Sequence, residues 1–202
     1  STPLYSSAAS DVYKRQILLI IAGIHLFNCS GINYKKMSID DPGSLLAIQD
    51  SLILNNKNNQ NIMDALTAAN NNMGKNYLIK GELYLAIDHF KKAASLNSEN
   101  KFSKYSLLIA EGQLLIKKGN KNGIWDAIEK FSKASNFFQN NGEPFYWMAI
   151  SYTKLGDTEF DLILESYEKS LSLELSENIK SEVEKKYEKA KMRKQKLDSF
   201  WK

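Results

Sequence analysis

The sequence predicts an all-helical fold of stacked helix pairs, and three observations carry that prediction. Helix breakers are scarce, with 3 prolines and 10 glycines in 202 residues, so long helices can run without interruption. A run of small and aromatic residues recurs three times at similar spacing. A glycine stands at an equivalent place before each copy, at Gly81, Gly119 and Gly156. The composition is that of a folded chain, 43% hydrophobic and 25% charged. The length suits one domain with a leader better than two domains.

Charge and chemistry-bearing residues narrow the function classes. The formal net charge is +4, but Lys180 to Lys202 holds nine Lys/Arg against four Asp/Glu. The remainder is close to neutral and lacks the basic footprint that nucleic acid requires. A single cysteine, Cys29, excludes an intramolecular disulfide and a cysteine-based metal site. His25 and His89 are far apart, with no second histidine within helical reach of either, so no metal ligand set is expected. No glycine-rich phosphate loop, HExxH or G-x-S-x-G is present, so neither catalytic residues nor a cofactor are expected. Glu82, Glu111, Glu129 and Glu165 read as solvated surface charge. His89, one residue before Phe90, reads as pointing outward.

In chain order, Ser6 to Gln16, SSAASDVYKRQ, resembles a translated library linker, and residues 1–16 are read as a scar outside the fold. Residues 17–29 read as a signal peptide. Its apolar run, Ile17 to Phe27, would span about 16 Å as a helix, roughly half a hydrocarbon core. Leu26 to Gly31, LFNCSG, resembles a bacterial lipobox, with a leucine three residues before the cysteine and Asn28 where a small residue is usual. The resemblance implies lipid attachment at Cys29. Ser30, standing where an inner-membrane retention aspartate can occur, implies the outer membrane facing the periplasm. Residues 30–43, with Asp40, Asp41, Pro42 and Gly43 and no apolar period, read as a tether. Residues 44–60 read as an N-terminal capping helix, SLLAIQDSLILN, followed by an Asn-rich loop.

The repeat occupies residues 61–174. Ala86, Ile87, Phe90, Lys92 and Ala93 recur forty-one residues on as Ala127, Ile128, Phe131, Lys133 and Ala134. A third copy, LILESYEKSLSL from Leu162 to Leu173, places Tyr167 for the phenylalanine and Ser170 for the alanine. Before each copy lies a first-helix motif: Met73 to Tyr84, Glu111 to Asn120, and Met148 to Asp157. Each ends in a glycine able to take the positive φ of a helix C-terminus. The small residue and the aromatic four places later share one helical face, so the small one admits a close neighbour and the aromatic fills the space between helices.

These residues resemble the tetratricopeptide repeat. Gly74, Tyr77, Gly81, Ala86, Phe90, Ala93 and Leu96 match its pattern in the first copy. The second copy has Leu115 for the tyrosine and a longer turn. The third has Ala149 for the first glycine, Ile163 or a neighbour for the small alanine, and Pro144 opening its first helix. Residues 67–173 carry the resemblance. It implies a right-handed superhelical stack of antiparallel helix pairs, an α-solenoid, with capping helices at both ends. The end caps would be residues 44–60 and 175–202, the latter with Ile179, Val183, Tyr187 and Ala190 on one stripe.

The resemblance further implies a concave groove lined by first helices. The positions are Asn71, Lys75 and Leu78, then Ile109, Gln113 and Ile116, then Tyr146, Ile150 and Thr153. Half apolar and half neutral-polar, they suit a protein segment better than a phosphate or other small-molecule substrate. Of the consecutive Phe145, Tyr146 and Trp147, either flanking residue is expected to pack, with Tyr146 nearest the groove. The basic C-terminal run reads as a capping helix with a solvated Lys/Glu face. The other reading is contact with anionic lipid or nucleic acid through Phe200 and Trp201. The expected function is a non-enzymatic, membrane-tethered adaptor in a bacterial envelope complex for assembly, secretion or surface-structure biogenesis. Two other classes fit the same residues: a cytoplasmic nucleic-acid or ribonucleoprotein accessory using the basic C-terminal helix, and a non-catalytic regulator of an envelope enzyme.

Overall fold

The computed structural model describes residues 32–56, 58–156 and 159–200. Cys29, the apolar run before it, residues 1–16 and Trp201 lie outside the described residues. The chain divides into a first unit, Ser1–Asn33, and a second unit, Tyr34–Lys202. Its described residues form ten helices: α1 Tyr34–Asp40, α2 Pro42–Ala47, α3 Gln49–Asn55, α4 Gln60–Ile79, α5 Leu83–Leu96, α6 Lys101–Lys118, α7 Lys121–Ser135, α8 Glu143–Leu155, α9 Phe160–Leu171 and α10 Glu177–Phe200. Each helix from α4 onward packs against the next, so the fold is all-helical and built of adjacent packed helices.

Local sequence explains where the helices begin and end. Asn59, Asn100 and Asn120 are N-caps whose side-chain oxygens accept from the backbone N–H of Ile62, Ser103 and Gly123. A short carbonyl side chain satisfies a donor that the helix leaves unpaired. The abundance of asparagine thus has a local structural use that composition alone does not reveal. Gly81, Gly119 and Gly156 have φ of 73°, 74° and 117°, the region expected of them. Pro144 lies in the first turn of α8, where its missing N–H leaves no helical bond unmade.

The core forms a chain of clusters linked by shared side chains. Phe90 and Phe131 are fully buried, and Tyr167 nearly so. Phe90 lies over Gly74, where an added Cβ would stand 2.7 Å from the ring. Phe131 lies over Gly112, where the distance would be 2.4 Å. Leu78 packs in the clusters of both the first and second pairs, and Trp147, Met148 and Ile150 in those of the second and third. The Phe131 ring stacks on Trp147 of the following pair at 6.2 Å.

The N-terminal end differs from expectation in detail, and the C-terminal end follows it. Residues 34–43 do not form a tether: α1 and the start of α2 pack on α4, with Ser38 buried and its carbonyl accepting from Asn72 Nδ2 at 2.9 Å. Tyr34 and Met37 join a cluster around Leu45, Leu66 and Ala69, an apolar contact too short to show as a period in sequence. The single helix expected over 44–55 is divided at Ile48 into α2 and α3. At the other end α10 packs along α9, placing the fully buried Val183 among Tyr146, Tyr167 and Ile163. Its expected stripe does the packing, since Ile179, Tyr187 and Ala190 join the same cluster. The loops before α8 and α10 are tied together. Gly142 N–H donates to Glu174 O, and Glu174 N–H to Asn140 O, at 2.9 and 2.8 Å. No side chain fits at Gly142, because a Cβ would meet the Ser170 carbonyl at 2.3 Å.

Candidate functional site

The expected binding positions all lie on α4, α6 and α8, and the structure divides them into presented and buried. Lys75 and Thr153 are exposed, while Leu78, Gln113 and Ile150 are half-buried. Asn71, Ile109, Ile116 and Tyr146 are buried, between 1% and 7% exposed, and offer a partner almost nothing. The burial of these four has one physical reason. Helical spacing fixes which way a side chain points, but the elements covering it come from elsewhere in the chain.

Tyr146 shows this most clearly. It was expected nearest the groove, yet α10 closes over it: Val183 packs against it and Glu182 hydrogen-bonds its hydroxyl. Burial first, and then that hydrogen bond to a carboxylate, push its phenol well above the ordinary tyrosine range. Trp147 packs on Phe131, and Phe145 is half-buried. Asn71 is enclosed with its Oδ1 lacking a protein donor, a cost of about 1–3 kcal/mol. Thr153 donates to Ala149 O at 2.8 Å and is bonded to Tyr167, so its hydroxyl is already engaged.

Several polar groups assigned to open surface instead stitch helices together. His89 does not point outward: its Nδ1 lies 3.0 Å from Asn70 Oδ1 and its ring stacks on Tyr77 at 5.4 Å. Asn70 in turn donates to Gln49 Oε1 at 2.8 Å. Glu111 is not a solvated charge but is flanked by Lys130 at 2.7 Å and Lys91 at 3.8 Å, joining α6 to both α5 and α7. Glu82, Glu129 and Glu165 are exposed as expected.

A second network was not foreseen. Tyr105 donates to Glu143 Oε2 at 2.7 Å, and Trp147 Nε1 donates to Oε1 of the same carboxylate at 3.3 Å. Asn141 Nδ2 donates to the Tyr105 hydroxyl at 2.9 Å. The phenol of Tyr105 is pushed far up, chiefly by burial and then by the Glu143 charge. These groups lie 36 and 38 residues apart, a separation at which sequence carries no pairing signal.

Chemically, the arrangement favours packing and hydrogen bonding. Among the described residues no group of three metal-binding side chains converges, and no helix is long and apolar enough to cross a membrane. The exposed cations of α10 are partly engaged, Lys186 with Glu182, Lys191 with Glu188 and Lys194 with Asp161 of α9. Phe200 is exposed at the end of that helix. Compared with known proteins, the chain matches no family model and no curated protein.

Proposed function

We propose that the chain is a tetratricopeptide-like adaptor: a right-handed α-solenoid of antiparallel helix pairs, lipid-anchored at Cys29 to a bacterial envelope membrane. It holds a segment of another protein along α4, α6 and α8. The observation that carries this reading is a set of contacts beyond those within pairs. α4 touches α6, and α6 touches α8, so the first helices of successive pairs adjoin. Helices that adjoin in this way make one continuous surface, which single pairs would not.

That surface presents Lys75, Leu78, Gln113, Ile150 and Thr153, a mixture suited to backbone and side chains of a polypeptide. Binding there has no catalytic cycle. Selectivity comes from the shape of the surface, and the anchor raises the local concentration of anything confined to the same membrane. The LFNCSG sequence supports the anchor, and the recurring Gly/aromatic motif supports the solenoid.

Photocrosslinking residues placed at Gln113 and Ile150 test the surface. Crosslinks to one partner from both positions, and none from Leu85 or Glu129 on the second helices, support the adaptor. Equal crosslinking from the second helices overturns the assignment. The anchor has its own test, labelled palmitate. Incorporation lost in Cys29→Ala supports attachment, and unchanged incorporation rejects it.

A further inference from the structure

The residue just before each core aromatic sits at an equivalent place in the three pairs: His89, Lys130 and Ser166. In the first pair the imidazole of His89 reaches across to α4, meeting Asn70 and stacking on Tyr77. In the second, Lys130 reaches across to α6 and its ammonium meets Glu111. Both side chains have an apolar body and a nitrogen tip, and both close the seam between the two helices of their own pair. In the third pair Ser166 is too short to cross. The seam between α8 and α9 there opens as a cleft of about 620 Å³.

The apolar and aromatic lining of the cleft is Phe145, Met148, Tyr152 and Leu162. These follow the register of the seam, since Phe145 and Tyr152 stand where Asn70 and Tyr77 stand in the first pair. The rim carries Glu165 and Glu168 against the single cation Lys169, a net negative edge. Lys169 already holds its ammonium 5.9 Å from the centre of the Phe145 ring, so one wall of the cleft takes a cation. Tyr152 is pushed up from its ordinary value by burial first, and next by the negative charges of Glu159 and Glu165.

We propose that this cleft is a second docking site, distinct from the surface of first helices, and that it takes one arginine side chain from a partner polypeptide. The guanidinium plane lies against the half-buried Phe145 ring, its N–H groups donate to Glu165, and its aliphatic stem covers Met148. The occupant supplies from outside what His89 and Lys130 supply within the other two pairs. Arginine fits better than lysine because a planar, weakly hydrated cation both stacks on aromatic faces and donates to a carboxylate.

The test uses the full chain carrying ¹³C-methyl methionine, with the Met148 resonance identified by Met148→Leu. The probe is acetyl-Gly-Arg-Gly-amide, titrated to roughly millimolar concentration, the range expected of a single side chain. The expected result is a saturable shift of Met148, weakened about tenfold when norleucine replaces arginine. Ser166→Lys fills the seam as Lys130 does. It should keep the helical circular-dichroism spectrum and thermal midpoint while abolishing the shift, and Glu165→Gln should weaken it without filling anything. Lys75→Ala, which alters the first-helix surface at an exposed position, should leave the Met148 response unchanged, so the two sites fail separately. The inference is overturned by an unmoved Met148, by an equal response to norleucine, by an equal response in Ser166→Lys, or by a shift on protein dilution alone that reveals a second copy in the cleft.

Discussion

The first two helix pairs and the third solve the same packing problem differently. In the first two, a glycine on the first helix lets a phenylalanine ring lie against bare backbone, at Gly74 beneath Phe90 and Gly112 beneath Phe131. In the third, Ala149 stands for the glycine, Ile163 for the small alanine, and Tyr167 for the phenylalanine. More volume enters this core, and one neighbouring position shrinks, with Ser166 where the others carry His89 and Lys130, while Ser170 replaces the alanines Ala93 and Ala134 with a hydroxyl. Ser170 uses its place to donate to Gly142 O at 2.9 Å, and α10 adds Val183 over the top. Close helix approach therefore needs glycine only where the opposing ring lies flat on the backbone. A pair at the end of the row can hold a bulkier core because a different helix covers it.

Removing a ring breaks the comparison most severely. Phe131 is fully buried, lies over Gly112 and stacks on Trp147 of the next pair. Phe131→Ala should cost about 3–5 kcal/mol in urea unfolding and should disturb the third pair as well as the second. Tryptophan fluorescence of Trp147 reports that spread. An unfolding midpoint close to that of the parent would show that the ring does not join the pairs.

Adding a methyl sharpens it. Gly112→Ala places a carbon 2.4 Å from the Phe131 ring, too close for the ring to stay where it is. Overpacking of this kind costs about 1–3 kcal/mol, opposed by about 1 kcal/mol of better helix propensity. The net effect should be destabilising, and larger than for Gly74→Ala with its 2.7 Å approach. The reverse change, Ala149→Gly, adds no clash and should cost only about 1 kcal/mol plus the loss of one buried methyl. A Gly112→Ala protein more stable than its parent would mean that the helices can separate freely there.

What the sequence made legible was periodic and local. The recurrence of Ala86, Phe90 and Ala93 as Ala127, Phe131 and Ala134 marked the second helices. Gly81, Gly119 and Gly156 marked the turns, because a positive φ is a single-residue property. Surfaces were less legible. Asn71, Ile109, Ile116 and Tyr146 occupy the same helical face as Lys75 and Gln113, yet they are covered by neighbours that no single-helix pattern contains. Tyr146 is closed over by residues of α10 more than thirty positions later. The packing of α1 rests on few apolar atoms, and Asn70 meets His89 and Gln49 through hydrogen bonds with no sequence period at all. Only the cleft beside Ser166 was readable in principle, from aligning the residue before each core aromatic.

The polar seams should respond more weakly than the aromatic core. Tyr105→Phe removes one donor from Glu143 and one acceptor from Asn141 while keeping the ring, which packs edge-on to Phe138 at 5.2 Å. The expected cost is about 1–2 kcal/mol, because a half-buried carboxylate loses a hydrogen bond without losing packing. The same substitution at Tyr84, an exposed tyrosine of α5, should change the urea midpoint by much less.

The smallest expected effect belongs to His89, which fills the first seam. Its imidazole is held below the usual range, chiefly by burial and then by the charge of Lys92, with Asp88 pulling the other way. The fold therefore favours the neutral ring, while the unfolded chain takes up a proton as pH falls through about 6.5. The sign follows: the seam's contribution is fully present above that pH and is lost as pH drops toward the depressed folded value. Asp88 faces the same ring, but its own carboxyl is held low by Lys92 and stays ionised through this window. The urea midpoint of the parent should fall between roughly pH 7.5 and pH 5.5 by more than that of His89→Gln, which keeps an amide donor for Asn70 but cannot titrate. Equal falls in the two proteins would mean that the Asn70–His89 contact does not discriminate between ring charges, and the first seam would then be closed by shape alone, as the third is not closed at all.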